Sequence, residues 1–122
     1  MIKIVSKKEV QERGFSPEPH TVQFNDDGVW YAYLYAGQIE SVLCVSDKHG
    51  GKYISSCYTS PEYRKRGLQS SLIMRVCEDY PESKIVAHCL QSSKRVFEGC
   101  GFSHYKTVNY KYGTQYFMKL ER

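Results

Sequence analysis

The stretch that decides the fold is Thr59-Ser60-Pro61-Glu62-Tyr63-Arg64-Lys65-Arg66-Gly67-Leu68-Gln69-Ser70-Ser71-Leu72. A strand-like run, 53–59, leads into it and a helix-like run, 68–80, leaves it. Between them lies a basic loop with one glycine, Gly67, at the bend. Such a loop directs several backbone N–H groups and the positive end of the helix dipole at one point. The stretch therefore predicts an anion site, most simply for a pyrophosphate, to which Arg64, Lys65 and Arg66 add charge.

Two segments of the chain resemble one known family. Arg64-Lys65-Arg66-Gly67-Leu68-Gln69 is similar to the acyl-CoA loop of the GNAT superfamily of N-acyltransferases, Arg/Gln-x-x-Gly-x-Gly/Ala. Ser93-Lys94-Arg95-Val96-Phe97-Glu98-Gly99-Cys100-Gly101-Phe102 resembles the second GNAT signature, a helix that ends in Tyr-x-x-x-Gly-Phe. With the strand order, the resemblance covers residues 29 to 122. It implies one α/β (α+β) domain over residues 1–122, with a mixed, mostly antiparallel central sheet, helices on both faces and a short N-terminal helical region.

Length and composition fit this expectation. A chain of 122 residues has room for one domain and one modest core. The net charge of +4 suits an anionic cofactor and would not repel RNA or an acidic protein. No apolar run reaches the length of a membrane span and no signal-peptide pattern opens the chain, so we expect no membrane contact and a cytoplasmic location. The five cysteines form no Cys-x-x-Cys pair, which predicts reduced core residues and no metal site.

Periodicity and turn residues predict the order of the elements. Ser6 and Gly14 are expected to bound a first helix, and the stripe formed by Leu68, Leu72 and Val76 predicts the central helix. The predicted strands are 2–5, 29–36, 39–45, 53–59, 84–90, 102–110 and 115–120. The predicted helices are 7–13, 67–80 and one from Ser92 or Ser93 to Cys100. The remaining segments are read as irregular (15–20), extended (21–25) or turns and loops (25–28, 37–38, 47–52, 112–113).

Three positions depart from the family pattern. Gln69 stands where the loop usually ends in a small residue, which leaves less room for backbone to approach a phosphate. Phe97 stands at the position of the family's tyrosine, often a general acid near the departing thiolate, and it has no proton to give. The family's asparagine falls near Leu90 or Gln91. The strand before the loop also lacks the carboxylate base that many members carry there.

Other groups can replace the missing ones. Backbone N–H groups near Cys57 to Thr59 can polarise a carbonyl, and a base can act through water. His88, at the end of a strand that faces the cleft in the family, is the first catalytic candidate, and the alternative is a surface or hydrogen-bonded histidine. Tyr105, on the closing hairpin with Tyr110 and Tyr112, is the second. Cys57 and Cys89 are read as inert thiols rather than acyl acceptors, and Glu40 and Glu62 as solvated surface charges.

The resemblance implies transfer of an acetyl group from acetyl-CoA to an amine. The residues expected to hold the coenzyme are Cys57, Tyr58, Thr59, Arg64, Lys65, Arg66, Gly67, Leu68, Gln69, Ser70, Gln91 and Phe97. The short N-terminal wall favours a large acceptor, a protein lysine or N-terminus or an amine on RNA, handled by a monomer or homodimer. The alternative is a catalytically reduced member that holds coenzyme A or a partner without turnover, which Phe97 and Gln69 favour.

Overall fold

A seven-stranded sheet forms the centre of the structure, in the order β1-β2-β3-β4-β5-β7-β6. The computed structural model describes residues 1–15, 24–111 and 113–122. The strands are β1 (Ile2–Val5), β2 (Val29–Tyr35), β3 (Gln38–Lys48), β4 (Gly51–Thr59), β5 (Ile85–Cys89), β6 (Phe102–Tyr110) and β7 (Gly113–Leu120). The α-helices of the described residues are α1 (Lys7–Arg13), α2 (Leu68–Asp79) and α3 (Gln91–Gly99), and a 3-10 turn covers Pro61–Tyr63.

Neighbouring strands are antiparallel except β4 and β5, which run parallel because α2 connects them. Each face of the sheet has its own core. Val10 of α1 packs with Trp30, Val42 and Tyr58 on one face. The other face packs against α2 and α3, and its largest buried member from a helix is Phe97. The mixed, mostly antiparallel sheet with helices on both faces confirms the predicted fold class.

Local signals set both α1 and α2 as the sequence predicts. Ser6 Oγ accepts the Glu9 backbone N–H at 3.0 Å, Glu9 accepts the Ser6 N–H in return, and Gly14 ends α1 in the left-handed conformation. In α2 the stripe of Leu68, Leu72 and Val76 is buried against the sheet. These two helices therefore lie where periodicity and capping residues place them.

The hairpins differ in detail from the prediction. The predicted loop 47–52 is a two-residue turn, because β3 and β4 remain paired as far as Lys48 and Gly51. His49 and Gly50 both adopt positive φ, 55° and 78°, the combination that suits a right-twisted two-residue hairpin. The predicted irregular and extended stretches over 15–25 fall mostly on 16–23, outside the described residues, and so does Tyr112 of the last turn.

Candidate functional site

A cleft opens where β4 and β5 stop pairing. Their ladder has three rows, which end at Ile54 and Ala87. Beyond that row the two strands border a cleft of about 850 Å³. The ends of β4 and β5 form its sides, and the first turns of α2 and α3 close it. The parallel crossover therefore leaves an opening between two helix N-termini.

A β-bulge shapes the β4 side of the cleft. Val42 pairs with Tyr58 and Cys44 pairs with Ser55, so β4 has one residue more than β3 in this interval. Ser56 takes up the excess with a φ of 54°, which is unusual for a residue with a side chain. The bulge re-aims the backbone of β4 at the point where the cleft begins.

Gln69, which departs from the family's loop pattern, is hydrogen-bonded to the strands on either side of the bulge. Its Nε2 atom lies 2.8 Å from Ser41 Oγ, 2.9 Å from the Val42 carbonyl oxygen and 3.2 Å from the Tyr58 carbonyl oxygen. Its amide oxygen is buried without a hydrogen-bond partner among the described residues. The side chain thus points into the sheet below α2. The anticipated crowding of the loop by a larger residue is therefore absent, because the amide is hydrogen-bonded to β3 and β4.

The loop before α2 presents backbone donors without partners in the helix. Lys65 and Gly67 are both left-handed, with φ of 64° and 78°, and α2 begins without a side-chain cap. The first helical hydrogen bond joins Ser71 N to Gly67 O at 3.0 Å, so the earlier N–H groups of the turn are free to face the cleft. A Cβ atom added at Gly67 would meet no heavy atom within 4 Å. This geometry gives an open space in front of a helix N-terminus.

Three exposed cations lie in this loop, of which Arg64 and Lys65 line the cleft and Arg66, a predicted coenzyme contact, does not. Arg64 donates from Nε to the Thr59 carbonyl oxygen at 3.0 Å, and its guanidinium lies 5.5 Å from the Tyr58 ring centroid. The Arg66 guanidinium lies 5.0 Å from the Tyr63 ring centroid. Lys65 is exposed between them. The loop therefore combines fixed positive side chains with the helix dipole, the combination that binds phosphate groups.

The N-terminus of α3 opens on the same cleft. The predicted cap at Ser92 or Ser93 is wrong: Leu90 is the N-cap residue, no side chain caps the helix, and both serines lie in its first turn on the cleft wall. The N-cap lies two or three residues earlier than the serines suggest, directly after β5, which ends at Cys89. Gln91, a predicted coenzyme contact, is exposed and lies outside the cleft lining.

Phe97 is part of the cleft floor. Its ring is 1% exposed and meets Phe102 edge-to-face with centroids 5.1 Å apart. It has no hydroxyl group, so this position can exclude water from the cleft but cannot protonate a leaving group.

The thiols that line the cleft are poor nucleophiles. Burial raises the pKa of Cys57 to about 12 and that of Cys89 to about 11. Both side chains are therefore protonated at neutral pH, and a thiol reacts as its thiolate. Thr59, at the end of the same strand, shares a hydrogen bond of 2.7 Å with Ser41.

The two catalytic candidates lie in a row of aromatic rings. His88 stacks on Phe117 at 3.7 Å and lies 4.5 Å from the His49 ring, while Tyr105 lies 6.2 Å from Phe117. Burial, then the nearby charges of His49 and Lys106, lower the pKa of His88. His88 lines the cleft, whereas Tyr105 is 48% exposed on β6 and lies outside the cleft lining. The structure thus places His88 on the cleft wall and Tyr105 outside it.

The environment of Glu40 differs from the predicted one, and Asp26 makes a contact that the sequence did not predict. Glu40 is not a solvated charge, because it is 6% exposed and paired with Arg13 at 2.7 Å and with Ser60 at 3.1 Å. Asp26, in the predicted turn before β2, accepts hydrogen bonds from the hydroxyls of Ser55 (2.8 Å) and Ser56 in β4. No pattern around Asp26 indicated this contact, since it depends on how the loop crosses the sheet.

Comparison with known proteins agrees with this geometry. The model of the acetyltransferase (GNAT) family matches residues 3–102, and the chain belongs to that family. No curated protein matches the chain. The described residues include no helix long and apolar enough to cross a bilayer.

Three solved structures illustrate the similarity of fold. The ribosomal-protein-S18-alanine N-acetyltransferase of Escherichia coli has a TM-score of 0.77 at 10% identity, with 98% of this chain and 92% of that chain covered. A spermidine N-acetyltransferase chimera from Vibrio cholerae and hSSAT has a TM-score of 0.68 at 13% identity, covering 98% and 93%. A putative streptothricin acetyltransferase of Bacillus anthracis, in complex with acetyl coenzyme A, has a TM-score of 0.66 at 17% identity, covering 80% and 65%.

Proposed function

We propose that this protein is an N-acetyltransferase that transfers the acetyl group of acetyl-CoA to an amine. The observation that carries the proposal is the loop from Arg64 to Gly67. It sets uncapped N–H groups of α2 beside two cations of the cleft wall, Arg64 and Lys65, which suits a pyrophosphate. The cleft then leads the rest of the coenzyme between β4 and β5 to the bulge at Ser56.

The chain supplies the elements that such a transfer needs. Binding both reactants in one cleft provides orientation, which contributes much of the rate in a two-substrate reaction. Backbone N–H groups near the bulge, around Cys57, are suited to polarise the thioester carbonyl. Coenzyme A is an acidic enough thiol to leave without a proton donor at Phe97.

The acceptor that fits this face best is an amine on a protein or RNA. Among the described residues one short helix, α1, packs on the face opposite α2 and α3, which favours a large acceptor. A net charge of +4 favours an acidic macromolecule over a small polycation. The proteins of similar fold act on acceptors as different as a ribosomal protein and spermidine, so fold by itself does not choose between them.

One observation favours a second function, coenzyme binding without turnover. Phe97 is buried and carries no acid, and both cleft thiols are protonated. A protein of this kind would bind acetyl-CoA and release no coenzyme A with any amine. A screen of amines with labelled acetyl-CoA separates the two functions.

The loop is tested by adding a charge at Gly67. We expect Gly67→Asp to abolish binding of acetyl-CoA in calorimetry, because a carboxylate would occupy the open space in front of the helix N-terminus. Gly50→Asp is the matched control: Gly50 has the same φ of 78° and the same open surroundings, but it lies at the β3–β4 turn. Unchanged affinity in Gly67→Asp would overturn the assignment of this loop.

A further inference from the structure

The Asp26 carboxylate lies behind the bulge of β4. The loop before β2 is anchored there twice: Trp30 donates to the Asp26 carbonyl oxygen at 3.1 Å, and Ser55 and Ser56 both donate to the same carboxylate oxygen, Oδ2. The sequence of β4, Gly51–Thr59, contains no carboxylate of its own. The loop therefore brings an acid to a strand that has none.

The two serines approach the cleft from the face opposite α2 and α3. Cys57 packs with the core of α2 and α3, whereas Tyr58 and Cys44, the neighbour of Ser55, belong to the core beside α1. Ser55 and Ser56 both line the cleft, while Asp26 lies outside its lining. Acetyl-CoA bound beside α2 would leave this opposite side of the cleft for the acceptor amine. Ser55 and Ser56 thus connect the cleft wall to the Asp26 carboxylate.

Ser56 differs from Ser55 in its backbone. A non-glycine residue at φ 54° is conformationally strained, and such residues cluster at functional sites. The turn of the backbone directs the Ser56 hydroxyl at Asp26 on one side while the residue remains on the cleft wall. Glycine would adopt this φ without the strain but would carry no hydroxyl.

We propose, building on the proposed acetyl transfer, that Ser56 and Asp26 form a proton relay that acts as the general base. The lone pair of the neutral amine forms the N–C bond to the thioester carbon as the C=O π pair moves onto the carbonyl oxygen, and that pair re-forms the C=O bond when sulfur leaves. The amine proton passes to Ser56 Oγ as the Ser56 hydroxyl proton passes to Asp26. The C–S bond then breaks, its electron pair leaves with sulfur, and the coenzyme A thiolate takes a proton from solvent. Asp26 returns its proton to solvent, so the products are the amide and coenzyme A.

Asp26→Asn tests the relay with little change in shape. Both serines donate to one oxygen, so the asparagine amide oxygen can keep the loop anchored while the side chain can no longer accept a proton. We expect kcat to fall roughly a hundredfold, the contribution of one positioned base, with the Kd of acetyl-CoA unchanged. Asp27→Asn is the matched control, since it removes the same charge from the same loop at a 94% exposed side chain bound to Lys7. It should retain the wild-type rate.

The pH profile separates a relay from a purely structural role. Among the described residues, Asp27, Lys7 and Lys48 are the charged groups that act together with Asp26 on the Cys44 thiol of β3. Their charges remain in Asp26→Asn. We expect the ratio of the Asp26→Asn rate to the wild-type rate to rise with pH, because solvent hydroxide replaces the missing base whereas deprotonation of the amine affects both proteins equally. A loss that is the same at every pH would show that Asp26 only holds the bulge.

Variants of Ser56 complete a double-mutant cycle with Asp26→Asn. Ser56→Gly relieves the backbone strain of the positive φ, whereas Ser56→Ala keeps it. Both variants lose the hydroxyl, so both should lose as much of the transfer rate as Asp26→Asn does. The double variant Asp26→Asn with Ser56→Gly should lose no more than either change alone, because one relay is broken in each case.

The decisive measurement is coenzyme A release with acetyl-CoA and a panel of peptide N-termini, lysine peptides, RNAs that carry an amine, and polyamines. The relay alone is overturned if Asp26→Asn transfers acetyl at a rate within threefold of the wild-type rate. It is also overturned if the two losses of rate are fully additive in the double variant. Wild-type protein that transfers acetyl to no amine of the panel overturns the proposed function and the relay with it.

Discussion

Arg13→Met should destabilise the protein although it changes a residue at the end of a short helix. The Arg13 and Glu40 side chains are 19% and 8% exposed, and Arg13 Nη2 lies 2.7 Å from Glu40 Oε1. Arg13 Nε also donates to the Ile39 carbonyl oxygen at 2.6 Å. Methionine keeps the apolar stem and removes all of these donors. Glu40 would then retain the Ser60 hydroxyl as its remaining side-chain partner at this site.

The size of the effect follows from burial. Removing one partner of a buried ion pair costs 3–5 kcal/mol, and the partial exposure of Arg13 with the surviving Ser60 bond places this case near the lower end, at about 3 kcal/mol. For a chain of this size that corresponds to a Tm lower by roughly 10 °C. Urea unfolding followed by circular dichroism measures the free energy of unfolding.

Two further variants make the reasoning refutable. Arg13→Met with Glu40→Gln removes the unpaired charge, so it should recover a large part of the loss. Lys8→Met is the control on the same helix, because the Lys8 and Glu12 side chains are 83% and 65% exposed, and it should change stability by less than about 0.5 kcal/mol. A loss below about 1 kcal/mol in Arg13→Met, or no recovery in the double variant, would show that the pair does not act as a buried ion pair.

Two other expectations concern titrating groups. Burial raises the pKa of all five cysteines, to about 12 for Cys44, so thiol titration should find them slow in the folded protein and fast after unfolding; rapid labelling of several in the folded state would contradict this. The lowered pKa of His88 means that, as pH falls through the ordinary pKa of histidine, the unfolded chain takes up a proton here before the folded chain does. The contribution of His88 to the free energy of unfolding is therefore fully present above that pKa and is lost as pH falls below it. Unfolding measured at about pH 7.5 and about pH 5.5 should show a smaller pH effect in His88→Gln than in wild type or in the exposed control His104→Gln, and an equal effect would refute the assignment.

The features that the sequence predicted well are those with local causes. Ser6, Glu9 and Gly14 bound α1 through contacts within one turn, and the α2 stripe needs only a period of 3.6. The loop to Gly67 is local as well, since a left-handed residue followed by an uncapped helix is encoded in a few residues.

The features that were missed depend on contacts between distant segments. Glu40 is buried because Arg13, 27 positions away, reaches it, and Asp26 meets Ser56 across 30 positions. Gln69 looked unsuitable within its loop, yet its amide bonds atoms of β3 and β4. Neither periodicity nor a motif contains such partners, because they are set by how the loop before β2 and the end of α1 lie on the sheet.

Because β4 and β5 pair over only three rows, the sheet has two strand edges in its interior in addition to its two outer edges. An ordinary sheet exposes unpaired backbone at its outer strands, here β1 and β6. In this molecule the backbone of β4 beyond Ile54 and that of β5 beyond Ala87 form a second pair of edges inside the sheet. An extended molecule about as wide as a strand can add to such an edge by main-chain hydrogen bonds, whatever its side groups. The first turns of α2 and α3 line the same gap, so a molecule that adds to either inner edge also meets two helix N-termini.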